Sequence, residues 1–200
     1  IFPFCGLRTP QINASYFQQV FGDPISNEKN WEIGALSCFI DSFETGKSLR
    51  PASNKDSIGP KILKVSAVSS GKYLPSESKI LPSTSTIDPK WWVKNGDLLF
   101  CRANTRELVG SVAEVFNQKD DRVLPDKIWR FVFEDKNKNM NAFFISLFRH
   151  PSFRRELVKR ASGTSGSMLN ISKSSVLNLK TIIPPINLID KYCQTIKLIN

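Results

Sequence analysis

The most chemically suggestive string in this chain is Pro125-Asp126, then seven residues, then Glu134-Asp135-Lys136. It spells the PD…ExK pattern of metal-dependent nucleases, whose chemistry requires both carboxylates on one Mg²⁺. The intervening IWRFVF reads as a single β-strand. Eight residue steps of about 3.3 Å would then hold Asp126 and Glu134 roughly 26 Å apart, too far to share an ion. A Mg²⁺-dependent nuclease using Asp126, Glu134 and Lys136 is therefore the enzymatic alternative, and it requires that strand to be broken.

Other reactive groups are sparse. Cys5, Cys38, Cys101 and Cys193 form no CxxC pair, so neither a zinc site nor a disulfide framework is signalled. His150 is the single histidine, which excludes multi-histidine metal sites and strains any Ser-His-Asp or Cys-His arrangement. Ile183-Pro184-Pro185-Ile186 is similar to the Asn/Asp-Pro-Pro-aromatic loop of adenine methyltransferases, but it lacks the amide or acid and the aromatic, and reads as a rigid connector. Phosphate-binding glycine loops and the HExxH zinc motif are absent from the sequence. No catalytic residue, metal or cofactor is expected, and a binding module remains.

Charge points to what is bound. The 200 residues carry a formal +10, with 11 basic and 9 acidic groups in the first hundred residues against 17 and 9 in the second. An anionic partner is favoured, nucleic acid first and an anionic membrane next, with plain solubility as the remaining explanation. No segment approaches the roughly 18 apolar residues of a membrane span, and the N-terminus lacks a signal-peptide pattern, so a soluble cytoplasmic protein is expected. The first residue is Ile1 rather than Met, which suggests a fragment.

The elements that must position these residues alternate in period. Residues 12–21 read as a short helix ended at Gly22-Asp23-Pro24, and Trp31 to Phe43 suits either a helix or a strand. Residues 46–60 have loop composition. Ile62–Val68 alternates as a strand does, and further strands are expected at 97–101, 111–116, 128–133 and 179–183. Phe143, Phe144, Leu147 and Phe148 recur at helical spacing, and a second helix starts at Pro151 with Phe153, Leu157, Val158 and Ala161 on one face. After Pro185, Ile189, Tyr192, Ile196 and Ile199 follow the spacing of a coiled-coil seam for about two heptads. The fold class is α/β (α+β), a twisted mixed sheet flanked by helices.

Asn95 to Phe116, NGDLLFCRANTRELVGSVAEVF, resembles the target-recognition domain of type I restriction-modification specificity (S) subunits. Further landmarks of that family stand in order: FGDP at Phe21–Pro24 with Asn30-Trp31 after it, Gly46-Lys47-Ser48, ILKVSAVSSGKY at Ile62–Tyr73, GTSGSMLNIS at Gly163–Ser172, and Pro184-Pro185. The resemblance runs from about Tyr16 to the C-terminus. It departs at Ile189, which stands where the family usually has a glutamine opening its long helix, and in length, since a complete S subunit holds two such units in tandem.

The resemblance implies a non-catalytic subunit that reads one half of a bipartite duplex DNA target. Its partners would be the methyltransferase (M) subunits and, through them, the restriction-translocase (R) subunit. It divides the chain into a helical lead-in (1–20), a recognition domain (21–183) and the start of a spacer helix (184–200), whose Ile189, Tyr192, Ile196 and Ile199 would meet another subunit or a second copy. The single unit is then either a fragment or a half-subunit that dimerises.

Residue chemistry, rather than the resemblance, selects the DNA contacts. Arg and Lys suit guanine, Asn and Gln suit adenine, and such groups must stand on exposed loops. Lys47, Arg50, Asn54, Lys55, Lys72 and Asn104 are the candidates for reading bases. Arg102 and Arg106 are equally suited to pairing with Glu107 or Glu114. Arg154, Arg155, Lys159, Arg160 and Lys173 are the candidates for phosphate contacts, with a merely solvated helix face as the alternative for the first four. Tyr73, Trp91 and Trp92 either pack on sugars and bases or enter the core.

Overall fold

The computed structural model describes residues 9–53, 58–118, 121–134, 139–163 and 168–199. The first half runs α1 (Thr9–Phe21), β1 (Glu32–Ala35), β2 (Ile40–Thr45), β3 (Lys61–Leu63), α2 (Ser66–Ser69), β4 (Ser78–Ile80) and β5 (Leu98–Cys101). The second half runs β6 (Ala103–Asn104), β7 (Val112–Glu114), β8 (Arg122–Val123), β9 (Ile128–Phe133), α3 (Asn141–Arg149), α4 (Pro151–Lys159), β10 (Leu169–Asn170), α5 (Lys173–Leu177), β11 (Lys180–Ile183) and α6 (Ile186–Ile199).

The centre is a four-stranded antiparallel sheet in the order β2-β9-β5-β7. Both of its faces are covered. On one face Phe43, Phe100, Trp129 and Phe131 form a single core with Phe144 and Phe148 of α3 and Phe153 and Leu157 of α4. On the other, Leu99, Cys101, Ala113 and Val115 pack with Leu63, Ala67, Val68, Val93 and Leu124. Double coverage explains why β5, Leu-Leu-Phe-Cys, is an unbroken apolar run with all four residues buried.

Among the described residues three smaller sheets accompany it: β1 with β11, β6 with β10, and β4-β3-β8. The pairing of β3 with β8 is parallel, so the sheet content is mixed as expected, although divided among several small sheets. Trp31 to Phe43, open to either reading from sequence, forms two strands separated by a 3₁₀ turn at Leu36–Cys38.

The expected strand at 62–68 stops at Leu63 and gives way to α2. Ala67 and Val68 are neighbours that both enter the same core, which the opposite-facing side chains of a strand do not allow. A helical turn does, closed by the Ala67 and Val68 amides donating to Lys64 and Val65 oxygens at 2.9 and 3.2 Å.

The C-terminal helix folds back onto its own domain. Tyr192 stacks on Tyr16 with ring centroids 5.3 Å apart, meets Phe17 and Phe21 edge-on, and shares a 2.8 Å hydrogen bond with Ser146 of α3. Ile189, Tyr192, Cys193 and Ile196 are buried in this way, whereas Ile199 is exposed. Among the described residues no helix is long and apolar enough to cross a membrane.

Candidate nucleic-acid interface

Strand direction decides which loops meet. Thr45 at the end of β2 lies opposite Trp129 at the start of β9, and Cys101 at the end of β5 lies opposite Ile128. Phe100 in turn faces Val112, the first residue of β7. The segments after β2, before β9, after β5 and before β7 therefore leave the same end of the central sheet. The first carries Lys47 and Arg50, the second Lys127, and the stretch that joins β5 to β7 carries Arg102, Asn104 and Arg106.

Backbone contacts fix this end. The Gly46 amide donates to the Pro125 carbonyl at 3.3 Å, and a Cβ on Gly46 would fall 1.7 Å from the Leu124 oxygen, so only glycine lets the two loops approach so closely. Arg102 Nε donates to the Asp126 carbonyl at 3.0 Å. Trp129, stacked on Phe100 within the core, is overlain by two cations, the Arg102 guanidinium and Lys173 Nζ, each 5.8 Å from a ring centroid. Lys173 Nζ also donates to the Phe43 carbonyl at 2.6 Å. Lys47 Nζ lies 5.6 Å from the half-buried Trp91 ring. Cations held on aromatic faces and carbonyls lose mobility, which preorganises them for an anion.

A second group of cations lines an open cleft of about 370 Å³ between the Ser69–Lys72 segment and α4. It holds Lys72, Arg149 and Arg154. Arg149 donates to the Gly71 carbonyl, and Arg154 Nη2 to the Glu107 carbonyl at 3.0 Å. Desolvation lowers the pKa of both guanidinium groups.

The expected residues thus separate. Lys72 and Arg154 come together in the cleft, and Lys173 joins Arg102 on Trp129. Lys47 and Arg50 are exposed. Asn104 is engaged within the protein, its Nδ2 donating to Ser69 Oγ at 2.8 Å and its Oδ1 accepting from the Thr105 amide at 2.9 Å. Lys159 pairs with Glu156 on the exposed side of α4 at 2.6 Å, and Arg155 and Arg160 are exposed on the same helix and its end. Tyr73 is half-buried and donates to Gln118, and burial pushes its pKa up to about 12. Asn54, Lys55 and Lys136 lie outside the described residues.

Arg149, Arg102 and Lys127 complete the set that residue-type reasoning undervalued. Arg149 is the last residue of α3, where a cation is already accounted for by the helix dipole. Arg102 and Lys127 abut strand ends, positions that look structural until the register shows which end they share.

The enzymatic alternatives find no geometry. β9 is continuous from Ile128 to Phe133, so Asp126 and Glu134 stay at its opposite ends. Among the described residues no three His, Cys, Asp or Glu side chains are grouped to hold a metal. His150 does meet a serine and an aspartate, but in the wrong order. Its Nδ1 lies 2.8 Å from Ser152 Oγ, which spends its proton on Asp23 Oδ1 at 2.7 Å. The serine lies between base and acid and is buried, so the trio is a staple joining α4 to the turn after α1.

No protein-family profile matches the chain. Solved structures share its fold: a chain from a study of complex assembly and conformational transition in a type I R-M system (TM-score 0.54, 14% identity, 96% of this chain and 44% of that one). The HsdS subunit of Thermoanaerobacter tengcongensis is similar to the same degree (TM-score 0.53, 15% identity, 96% and 43% covered). The chain thus shares the mixed α/β fold of the HsdS subunit. In sequence, an alignment of 173 positions that covers 84% of the chain is 30% identical to the type I restriction enzyme EcoEI specificity subunit of Escherichia coli. The chain carries a target-recognition domain of the type I specificity-subunit kind. It spans 28% and 36% of the lengths of the two curated relatives it matches.

Proposed function

We propose that this chain recognises one half of a bipartite duplex DNA sequence as the specificity component of a type I restriction-modification enzyme, without performing chemistry itself. The observation that carries this reading is the gathering of Lys47, Arg50, Arg102, Arg106 and Lys127 at one end of the central sheet, two of them on aromatic faces. Loops at such an end can vary in sequence without disturbing the doubly covered sheet beneath, which suits a surface whose task is to discriminate. Lys47 and Arg50 are placed to reach bases. Arg102 and Lys173, tied to backbone carbonyls, suit phosphates, as does Arg154 in the cleft.

Its partners would be the methyltransferase subunits and, through them, the restriction-translocase subunit, in the cytoplasm. Residues 21–183 form the recognition unit in this reading. The segment 184–200 opens the spacer, and because Ile189, Tyr192 and Ile196 hold it to α1 and α3, a further helix would meet its exposed Leu198 and Ile199.

The test is selection from a randomised duplex library at physiological salt, with and without the M subunits, followed by sequencing. Enrichment of one short motif with no cleavage supports recognition. Retention without enrichment in both conditions reduces the chain to a non-specific basic binder, and Mg²⁺-dependent cleavage would restore the nuclease reading.

A further inference from the structure

We propose that the cleft between the Ser69–Lys72 segment and α4 grips one phosphate of the DNA backbone, with Arg149 and Arg154 as its two fixed cations and Lys72 as a mobile third. The proposal rests on the reading that the chain binds duplex DNA, and it names a site distinct from the Trp129 and Trp91 cations at the loop tips.

Two arginines elsewhere in the fold, with side chains 13% and 11% exposed, have carboxylate partners. Arg122 is paired with Asp121, and Arg130 with both Glu44 and Asp97. Arg149, exposed, and Arg154, half-buried, line the cleft without an ion pair among the described residues, and their hydrogen bonds go to the neutral carbonyls of Gly71 and Glu107. Glu107 lines the cleft, but its carboxylate is drawn to the Thr105 side chain and to its own amide. A guanidinium offers five N–H donors, so each of these keeps donors to spare beside a cavity. Two cations held on one concavity without a carboxylate partner favour an anion there.

The cleft is also held rigidly. Arg149 closes α3 and Arg154 lies in the first turns of α4, with the His150-Pro151 break turning one helix into the next. Gly110, at φ +75°, lies so close under α4 that a Cβ there would meet Leu157 Cδ2 at 2.4 Å and Arg154 Nη1 at 3.4 Å. Arg149 in turn fastens the Gly71 turn that presents Lys72. The cavity is open and about 370 Å³, room for a phosphodiester presented by a larger molecule. The fork of arginine suits paired phosphate oxygens.

The experiment uses duplexes carrying the selected half-site, each with one backbone phosphate replaced by a neutral methylphosphonate, and titrates them against the full chain over a range of salt. For the wild type, one position should cost about tenfold in affinity. In Arg149→Gln/Arg154→Gln that same position should cost nothing while neutral phosphates elsewhere still do, and the salt slope should fall by about one. Arg154→Lys should keep the slope and lose affinity, and Lys191→Gln on α6 should change neither. Thermal unfolding of each variant separates loss of contact from loss of fold.

Unchanged affinity and slope in the folded double variant would overturn the site while leaving DNA recognition intact. So would a penalty that persists at every phosphate position. Saturable binding of inorganic phosphate at matched ionic strength, abolished in the double variant with DNA binding unaffected, would overturn it in favour of a free anion. Failure of the wild type to bind any duplex, with or without the M subunits, would overturn the functional reading and this site with it.

Discussion

Replacing Arg130 by methionine would test how the sheet holds its charged end in place. Arg130 projects from the middle of β9, with its side chain 11% exposed, and its guanidinium is fully committed. It donates to Glu44 Oε2, to Asp97 Oδ2 at 2.9 Å, to the Trp92 carbonyl at 2.9 Å and to the Lys90 carbonyl. It therefore ties β9 to the segment that carries Trp91 under Lys47. Methionine fills much of the volume but strands Asp97, whose side chain is 13% exposed. Breaking a buried pair from one side costs about 3–5 kcal/mol, which for a chain of this size lowers Tm by about 10 °C.

The pH dependence of that deficit is the sharper readout. Burial raises the Asp97 pKa, and Arg130 is among the groups that restrain the rise. With Arg130 gone the pKa climbs further, so the folded state holds the proton more readily than the unfolded chain. A group raised in the fold destabilises once deprotonated, so the deficit of Arg130→Met should be largest near about pH 8 and shrink as pH falls toward the raised value. Adding Asp97→Asn should recover much of the loss. Urea unfolding of the single and double variants at several pH values measures this, and a deficit below about 1 kcal/mol, or one independent of pH, would refute the account of Arg130 as the charge partner of Asp97.

Gly46→Ala forces a Cβ into the Leu124 carbonyl and should cost about 2 kcal/mol or more by thermal unfolding; DNA affinity should fall with it, because Lys47 moves. Neutralising Lys47, Arg102 or Lys173 singly should each flatten the salt dependence of binding by about one unit, and a change in the selected motif would mark a base reader among them. His150 has its pKa lowered chiefly by desolvation, with Asp23 and Glu28 opposing and Arg155 adding to the fall. The folded state then binds fewer protons than the unfolded chain just below the ordinary value of 6.5, so stability is lost on acidification through that window, and His150→Gln should flatten the loss in a pH series of denaturant melts. Tyr192→Phe removes the hydroxyl shared with Ser146 and should cost about 1 kcal/mol by the same melts.

Periodicity made much of the framework legible. The helices at 141–149 and 151–159 and the strands at 98–101 and 128–133 follow the apolar spacing closely, because each buries one stripe or both faces against a continuous core. What the sequence withheld is direction in space. Lys47, Arg102 and Lys127 lie in three separate loops, and only the antiparallel register of β2, β9 and β5 brings them to a common end. Arg154 and Lys159 look alike on the sequence of α4, yet one enters a cleft and the other meets Glu156 three residues back, a difference set by which turn lies beneath the helix.

The same limit governs the C-terminal helix and bears on assembly. A 3/4 apolar spacing states that one stripe is covered, and the stripe is equally satisfied by a partner helix or by the chain's own core. Here Tyr16, Phe17 and Phe21 of α1 cover it, with Ser146 bonding the Tyr192 hydroxyl. The apolar side chains that α6 leaves exposed are Ile186 at its start and Leu198 and Ile199 at its end. A spacer that joins two recognition units in this way would be anchored by α1 at its root, so the distance between the halves of the target would be set from a fixed origin on the domain. Leu198→Glu/Ile199→Glu should then weaken association with a second copy or with M subunits, measured by sedimentation, while leaving Tm and half-site affinity unchanged. An equal loss of association from Tyr192→Phe, whose hydroxyl faces α3, would place the pairing surface on the buried stripe and contradict this geometry.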